Sequence, residues 1–125
     1  MPSTIYHLVP QSYHQAQPIE NPYVAATFAE EGFIHCTADL GTLVQVANAY
    51  FAQLAEPLVC YAINETKLIS PVKYEPPIPV ANSGIKPNSY TSEAIRFPHI
   101  YGPINRDAII EIITLRRDDT NRWIV

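Results

Sequence analysis

The sequence predicts a single α+β domain that spans residues 1–125. Twelve prolines divide the 125-residue chain into many short elements. Apolar residues recur at the helical period between Leu40 and Leu54, and this pattern predicts one amphipathic helix. Short apolar runs dominate the second half and are typical of strands. We therefore expect the helices to be concentrated in the first half of the chain.

The first elements are a strand and two short helices. Residues 4–9 alternate as in a strand, and His7 is one of the side chains on its apolar face. Residues 11–17 and 23–31 are interpreted as two short helices. The second should end at Gly32, because glycine readily adopts the backbone conformation that ends a helix.

A second strand and the main helix follow. Alternation over residues 33–37 places Phe33, His35 and Thr37 on one face of this strand. Either Thr37 or Asp39 can cap the helix that comes next. The strand therefore delivers an imidazole and a hydroxyl close to a helix start.

Four further strands and a loop are predicted in the second half of the chain. The strands cover residues 58–63, 72–75, 95–101 and 108–115. Pro98 interrupts the third of these, so we expect it to be an edge strand or to contain a bulge. Residues 79–92 contain proline, asparagine, serine and glycine without periodicity, which is typical of a loop that borders a site.

The composition excludes some classes of partner. Hydrophobic residues make up 47% and charged residues 16%, which is typical of a folded domain. The net charge is −4, and the basic pair Arg116-Arg117 is followed at once by Asp118-Asp119. Because DNA and anionic membranes are bound by basic patches, we expect neither as a partner. A small nucleotide ligand is not excluded.

The cysteines and the hydropathy pattern predict a cytoplasmic protein. Cys36 and Cys60 lie in apolar strand-like runs and are interpreted as reduced core thiols rather than a disulfide. The N-terminus lacks the basic flank and apolar run of a secretory signal. No apolar stretch approaches the roughly 20 residues that a membrane span needs.

Three of the four histidines share one local setting. His7, His35 and His99 each lie in a short apolar run beside a threonine or a tyrosine. Histidine fills an apolar interior poorly, but it transfers protons, binds metals and holds polar ligands near neutral pH. Their shared setting predicts a single cleft that is built from several strands.

Each histidine also has a structural interpretation. His7 could be a half-buried side chain whose ring is hydrogen-bonded to a backbone carbonyl. His35 precedes a helix start, where free N–H groups favour an anion, so His35 and Thr37 could hold a phosphate or carboxylate. Alternatively, Thr37 only caps the helix. His99 and Tyr101 either face a ligand or form a rigid corner with the tyrosine hydroxyl tied to backbone.

Two carboxylates are candidates for catalysis. Glu75 ends a strand before two prolines, where it could orient an imidazole or accept a hydrogen bond from a ribose hydroxyl. Glu111 lies among isoleucines in the last strand and must face solvent or have a partner. A solvated position remains an alternative for both.

A metal site is a weaker interpretation. His7, His35, His99 and a glutamate would make a reasonable zinc set. No two histidines have the i, i+4 spacing of a metal-binding helix, so the sequence gives no positive metal signal. Cys36 should point away from His35, which disfavours a thiol nucleophile. Four glycines cannot build a phosphate-binding loop.

Three segments carry a family resemblance. They are Ile5-Tyr6-His7-Leu8, the run from Gly32 to Thr37 with its following helix, and Phe97-Pro98-His99-Ile100-Tyr101-Gly102-Pro103. Together they resemble the signature of a small bacterial family known as domain of unknown function 952. The resemblance spans nearly the whole chain, and it implies a fold related to the ADP-ribosyltransferases.

The resemblance implies an ADP-ribosylation-like split mixed β-sheet, with a nucleotide cleft between its halves. In NAD-dependent members of that fold an early strand histidine binds the ribose, and Tyr6-His7 is similar to this motif. His35 and Thr37 resemble the second histidine motif of the RNA 2′-phosphotransferases. A late carboxylate polarises the glycosidic bond in the transferases. Here Glu111 is the only late-strand carboxylate, and the Glu-x-Glu or Gln-x-Glu motif is missing.

The functional hypothesis joins these observations. We expect one cleft lined by His7, His35, Thr37, His99 and Tyr101, with Glu75 at its edge. The cleft is expected to bind NAD, ADP-ribose or another small phosphorylated ligand, and Glu75 or Glu111 would engage a ribose hydroxyl in an ADP-ribosyltransferase-like enzyme. The alternatives are a non-catalytic binding module and a histidine–metal enzyme. The oligomeric state stays open.

Overall fold

The computed structural model describes residues 3–76 and 96–125. Its strands are β1 (Thr4–Pro10), β2 (Ile34–His35), β3 (Leu58–Asn64), β4 (Val72–Glu75), β5 (Phe97–Ile100), β6 (Ile109–Thr114), β7 (Arg116–Arg117) and β8 (Trp123–Ile124). Its α-helices are α1 (Gln11–Ala16), α2 (Phe28–Glu31) and α3 (Leu40–Tyr50), and 3-10 turns cover Glu65–Lys67 and Arg106–Ala108. The predicted loop over residues 79–92 lies outside the described residues.

The first sheet has the strand order β1-β3-β6 and is antiparallel throughout. Six of the seven residues of its central strand β3 are buried, because β3 has a neighbouring strand on each side and is covered on both faces. In β1, Ile5, His7 and Val9 are buried and alternate with half-buried side chains. This burial confirms the period-two pattern that the sequence predicts for the first strand.

The second sheet has the order β2-β5-β4 and is also antiparallel. The strand containing Pro98 was predicted to be an edge strand or to contain a bulge. It is neither, because β5 is the middle strand and its pairings with β2 and β4 have no register shift. The Pro98 carbonyl accepts a hydrogen bond from the Cys36 N–H at 3.1 Å. Proline has no N–H to return that bond, so regular pairing with β2 covers only Ile34 and His35.

The helices differ from the prediction at their ends. Asp39, and not Thr37, caps α3, since its carboxylate accepts a hydrogen bond from the Thr42 N–H at 2.7 Å. The helix predicted over residues 23–31 is shorter and begins only at Phe28. The reason is that the Tyr23 backbone forms an antiparallel bridge with the distant Ile104. Gly32 ends α2 with a left-handed φ of 80°, as predicted.

The core has two parts, one on each face of the first sheet. One part packs β1 and β3 against the second sheet and contains Ile5, Tyr61, Ile34 and Ile100. The other packs β3 against α3 and the C-terminal strand and contains Leu43, Ala47, Leu58, Cys60 and Trp123. Both cysteines are buried free thiols, as the sequence predicts.

The α+β class is confirmed. The resemblance implied a mixed sheet, whereas every strand pairing within residues 3–76 and 96–125 is antiparallel. Over the same residues, none of the helices has the length and apolar character to cross a membrane. The two separate three-stranded sheets decide which side chains come together at the site.

Candidate functional site

One face of the second sheet collects most of the predicted site residues. Strand register places His35 of β2 opposite His99 of β5, and His99 opposite Lys73 of β4. Glu75 lies opposite Phe97 in the next row. We call this surface the histidine face; it consists of Phe33, His35, Thr37, Lys73, Glu75, Phe97, His99 and Tyr101.

Glu75 holds two side chains of this face together. Its Oε1 atom is 2.8 Å from Nδ1 of His99 and accepts a hydrogen bond from the Tyr101 hydroxyl at 2.5 Å. Two hydrogen bonds lower the pKa of the Glu75 carboxyl, and the bond from Tyr101 has a larger effect than the bond from His99. The same contact raises the pKa of Tyr101. Glu75 is therefore a carboxylate at neutral pH, and it orients the imidazole.

The ring of His99 is enclosed. Its side chain is 0% exposed, and Phe33 stacks on it with the ring centroids 4.4 Å apart. Burial lowers the pKa of His99, so the imidazole is neutral near pH 7. Its Nε2 atom is buried and has no hydrogen-bond partner among the described residues. An unpartnered buried nitrogen is costly, and such atoms are found at functional sites.

His35 forms a second histidine–carboxylate pair. Its Nε2 atom is 2.8 Å from Oε2 of Glu31, and its ring lies 5.5 Å from that of His99 between centroids. The His35 side chain is 20% exposed. Sequence reasoning missed Glu31. The available signal was the four-residue spacing of Glu31 and His35 across Gly32, which ends α2.

His7 lies on the first sheet and has a different environment. Its Nδ1 atom is 2.6 Å from the His35 carbonyl oxygen, so Nδ1 must donate. Its Nε2 atom, 2.9 Å away, accepts a hydrogen bond from the Tyr23 hydroxyl. Burial lowers the pKa of His7 to about 4. The ring is therefore neutral with both nitrogens satisfied, as in the structural interpretation of this histidine.

A pocket of about 240 Å³ opens beside the histidine face. It lies between β1, α3 and the segment before α2, and His35, Thr37 and Phe97 connect it to the histidine face. Its wall contains four tyrosines and several aliphatic side chains. The lining residues are Tyr6, His7, Leu8, Pro10, Tyr13, Tyr23, Ala25, Ala26, Thr27, His35, Cys36, Thr37, Leu43, Val46, Tyr50, Phe51 and Phe97. No lysine or arginine of the described chain is among them.

The start of α3 offers little to an anion. The Asp39 carboxylate occupies the position at which a phosphate would meet the first N–H groups of the helix. Thr37 is buried, and its backbone pairs with that of Tyr6. Its hydroxyl donates a long hydrogen bond, 3.4 Å, to the Asp39 carbonyl. The predicted phosphate grip by His35 and Thr37 therefore lacks support from the helix start.

Glu111 lies apart from the histidine face. It is exposed on β6, opposite Ala62, in the first sheet. The sheet topology thus brings Glu75, but not Glu111, to the histidines. Residues 3–76 and 96–125 also contain no group of three histidine, cysteine, aspartate or glutamate side chains arranged to hold a metal ion.

Comparison with known proteins supports the family. The profile of the family described as "Protein of unknown function (DUF952)" matches residues 8–112. The chain belongs to this family. No curated protein matches the chain.

Two crystal structures share the fold. Both are of protein CC0527 from Caulobacter crescentus, one of them of a double mutant. Each has a TM-score of 0.74 and covers 98% of this chain and 94% of its own, at 20% identity for the double mutant and 21% for the other. This similarity establishes a shared fold and carries no assignment of function.

Proposed function

We propose that the protein binds a small ligand with a planar ring, such as NAD or ADP-ribose, and that the ring enters the tyrosine-lined pocket. The observation that carries the proposal is the pocket itself, which adjoins the histidine face through His35, Thr37 and Phe97. Ligand sites are concave and largely apolar, with a few polar groups that fix orientation. This pocket and this face have that composition.

The size of the pocket limits what enters it. Drug-sized ligands occupy pockets of roughly 300–1,000 Å³, whereas this one has about 240 Å³. A single ring such as nicotinamide or a nucleobase suits that volume, and the tyrosine rings can stack on it. The remainder of a larger ligand would extend over the histidine face.

The presence of two separate three-stranded sheets supports an ADP-ribosylation-like arrangement. If the protein is an ADP-ribosyltransferase-like enzyme, Glu75 rather than Glu111 is placed to engage a ribose. The exposed position of Glu111 favours the second candidate, a non-catalytic binding module. The two buried free thiols support residence in the reducing cytoplasm.

A thermal-shift series tests the binding proposal. NAD, ADP-ribose, nicotinamide and inorganic phosphate are added separately to the wild type and to His35→Ala. A ligand at a hundred times its Kd stabilises by about 2.7 kcal/mol, which raises Tm by several degrees. We expect a shift with NAD, ADP-ribose or nicotinamide that is reduced in His35→Ala.

Ala26→Phe sharpens the test, because Ala26 is exposed and lines the pocket. The added ring should fill the pocket and remove the shift. Ala29→Phe is the matched control, since Ala29 is also exposed but does not line the pocket. Equal shifts in both variants would reject the pocket as the binding site. Release of nicotinamide from NAD separates an enzyme from a binding module.

A further inference from the structure

We propose that His35 and His99 act together as hydrogen-bond acceptors, so that the histidine face binds a ligand through N–H or O–H donors and not through a phosphate. The vicinal hydroxyls of a ribose and a primary carboxamide are ligand groups of this kind. The inference rests on the proposed function, that a small ligand binds at this cleft, and names the chemical class that the cleft accepts.

The protonation of His99 follows from its partner. The Glu75 carboxylate can only accept hydrogen bonds, so Nδ1 of His99 must carry the proton in their 2.8 Å contact. A neutral imidazole has one N–H. Nε2 therefore offers a lone pair, and this is the buried atom without a partner among the described residues. It requires a donor from outside the described residues of the protein.

His35 has the same arrangement with its nitrogens exchanged. Nε2 donates to the Glu31 carboxylate, so Nδ1 carries the lone pair in the neutral ring. Nδ1 makes no hydrogen bond within residues 3–76 and 96–125. The two rings lie 5.5 Å apart between centroids on one sheet face. The rings are therefore close enough for one ligand with two neighbouring donors to contact both, once the side chains that enclose His99 move aside.

The charges around His99 disfavour an anion. Glu75 and Lys73 face it from β4, His35 from β2 and Glu31 from α2. Tyr101 also lies at this face and donates to Glu75. Among the described residues, two carboxylates thus outweigh one ammonium group. Lys73 also lies over the Tyr101 ring, 5.0 Å from its centroid.

Binding of donor and anion probes tests the inference. Uncharged nicotinamide and adenosine serve as donor probes, and inorganic phosphate serves as the anion, in NMR titrations at about pH 8. We expect the donor probes to bind and phosphate not to bind. Binding of phosphate without binding of either donor probe would overturn the inference.

His99→Phe keeps a ring to stack on Phe33 and removes the acceptor. Affinity for the donor probes should fall about tenfold, the effect of one hydrogen bond. Far-UV circular dichroism and Tm establish that the variant is folded. If Ala26→Phe abolishes binding but folded His99→Phe does not, the proposed function stands and this inference fails.

If no probe binds the wild type, the proposed function fails and this inference fails with it. Nitrogen NMR of the imidazoles tests the protonation argument by itself. A proton on Nδ1 of His99 at neutral pH supports that argument, because Nε2 is then an acceptor. A proton on Nε2 overturns it.

A second variant tests His35. His35→Asn keeps a polar side chain but cannot reproduce the ring geometry, and it should weaken the binding of the donor probes in parallel with His99→Phe.

Discussion

Acidification should destabilise the protein through His7. Burial lowers the pKa of this imidazole from 6.5 to about 4, so the unfolded chain binds the proton more tightly than the folded one. The free energy of unfolding must then decrease as the pH falls through the interval between 6.5 and about 4, and it changes no further through this group below that interval. The difference corresponds to about 3 kcal/mol.

The physical cause is the pair of contacts that His7 makes. Nδ1 donates to the His35 carbonyl and Nε2 accepts from the Tyr23 hydroxyl. Protonation would turn Nε2 into a donor, and Tyr23 would have to rotate its hydroxyl inside the core. Tyr23 is itself 1% exposed, so the charged ring would gain little solvation.

Urea denaturation of the wild type and His7→Gln across this pH interval measures the effect. Glutamine keeps one donor and one acceptor but does not titrate. Between neutral and acid pH, the free energy of unfolding of the variant should therefore fall by about 3 kcal/mol less than that of the wild type. His14→Gln is the matched control, because it removes another histidine–tyrosine hydrogen bond, to Tyr61 at 2.6 Å, and leaves His7 in place. Identical pH dependence in the wild type and His7→Gln would refute the argument.

Three further substitutions test other parts of the structure. Asp39→Ala removes the α3 cap and should cost about 1 kcal/mol in urea denaturation, while Asp39→Ser should retain most of that stability. Gly32→Ala should lower the free energy of unfolding by about 1 kcal/mol, because φ is 80° there. Gly41→Ala inside α3 should instead raise it by about 0.5–1 kcal/mol. Equal effects of the two substitutions would contradict the backbone argument. Tyr101→Phe should raise the pKa of the Glu75 carboxyl toward its ordinary value, since the largest cause of its lowering is removed. Carbon NMR of the carboxyl group measures that pKa, and an unchanged value would contradict the role of the hydroxyl.

Local periodicity explains which elements could be predicted. The alternation in β1 and the helical period of α3 are properties of neighbouring residues, and both elements form, although α3 ends at Tyr50 and not at Leu54. The position of β5 in its sheet is a long-range property. The rule that places proline at sheet edges did not predict this position, since the missing Pro98 N–H only shortens the pairing with β2.

The short helix before Gly32 shows the same limit. Tyr23 belongs to a stretch with acceptable helix formers, but its backbone pairs with Ile104, some eighty residues later. No local signal indicates that partner. The prediction of an anion at the start of α3 had a different weakness. Asp39 was already a candidate cap, and its carboxylate occupies the position that an anion would take.

The sequence could indicate histidines in a common setting, but their chemical roles depend on contacts that only the fold supplies. His7 has a partner on each ring nitrogen, which makes it a structural element of the wall between the two sheets. His99 has a carboxylate on one nitrogen and no described partner on the other. Two residues of one type, both buried and both neutral, thus differ in whether a lone pair remains available. That difference, and not the presence of histidine, directs the search for a ligand to the face that carries His99 and His35.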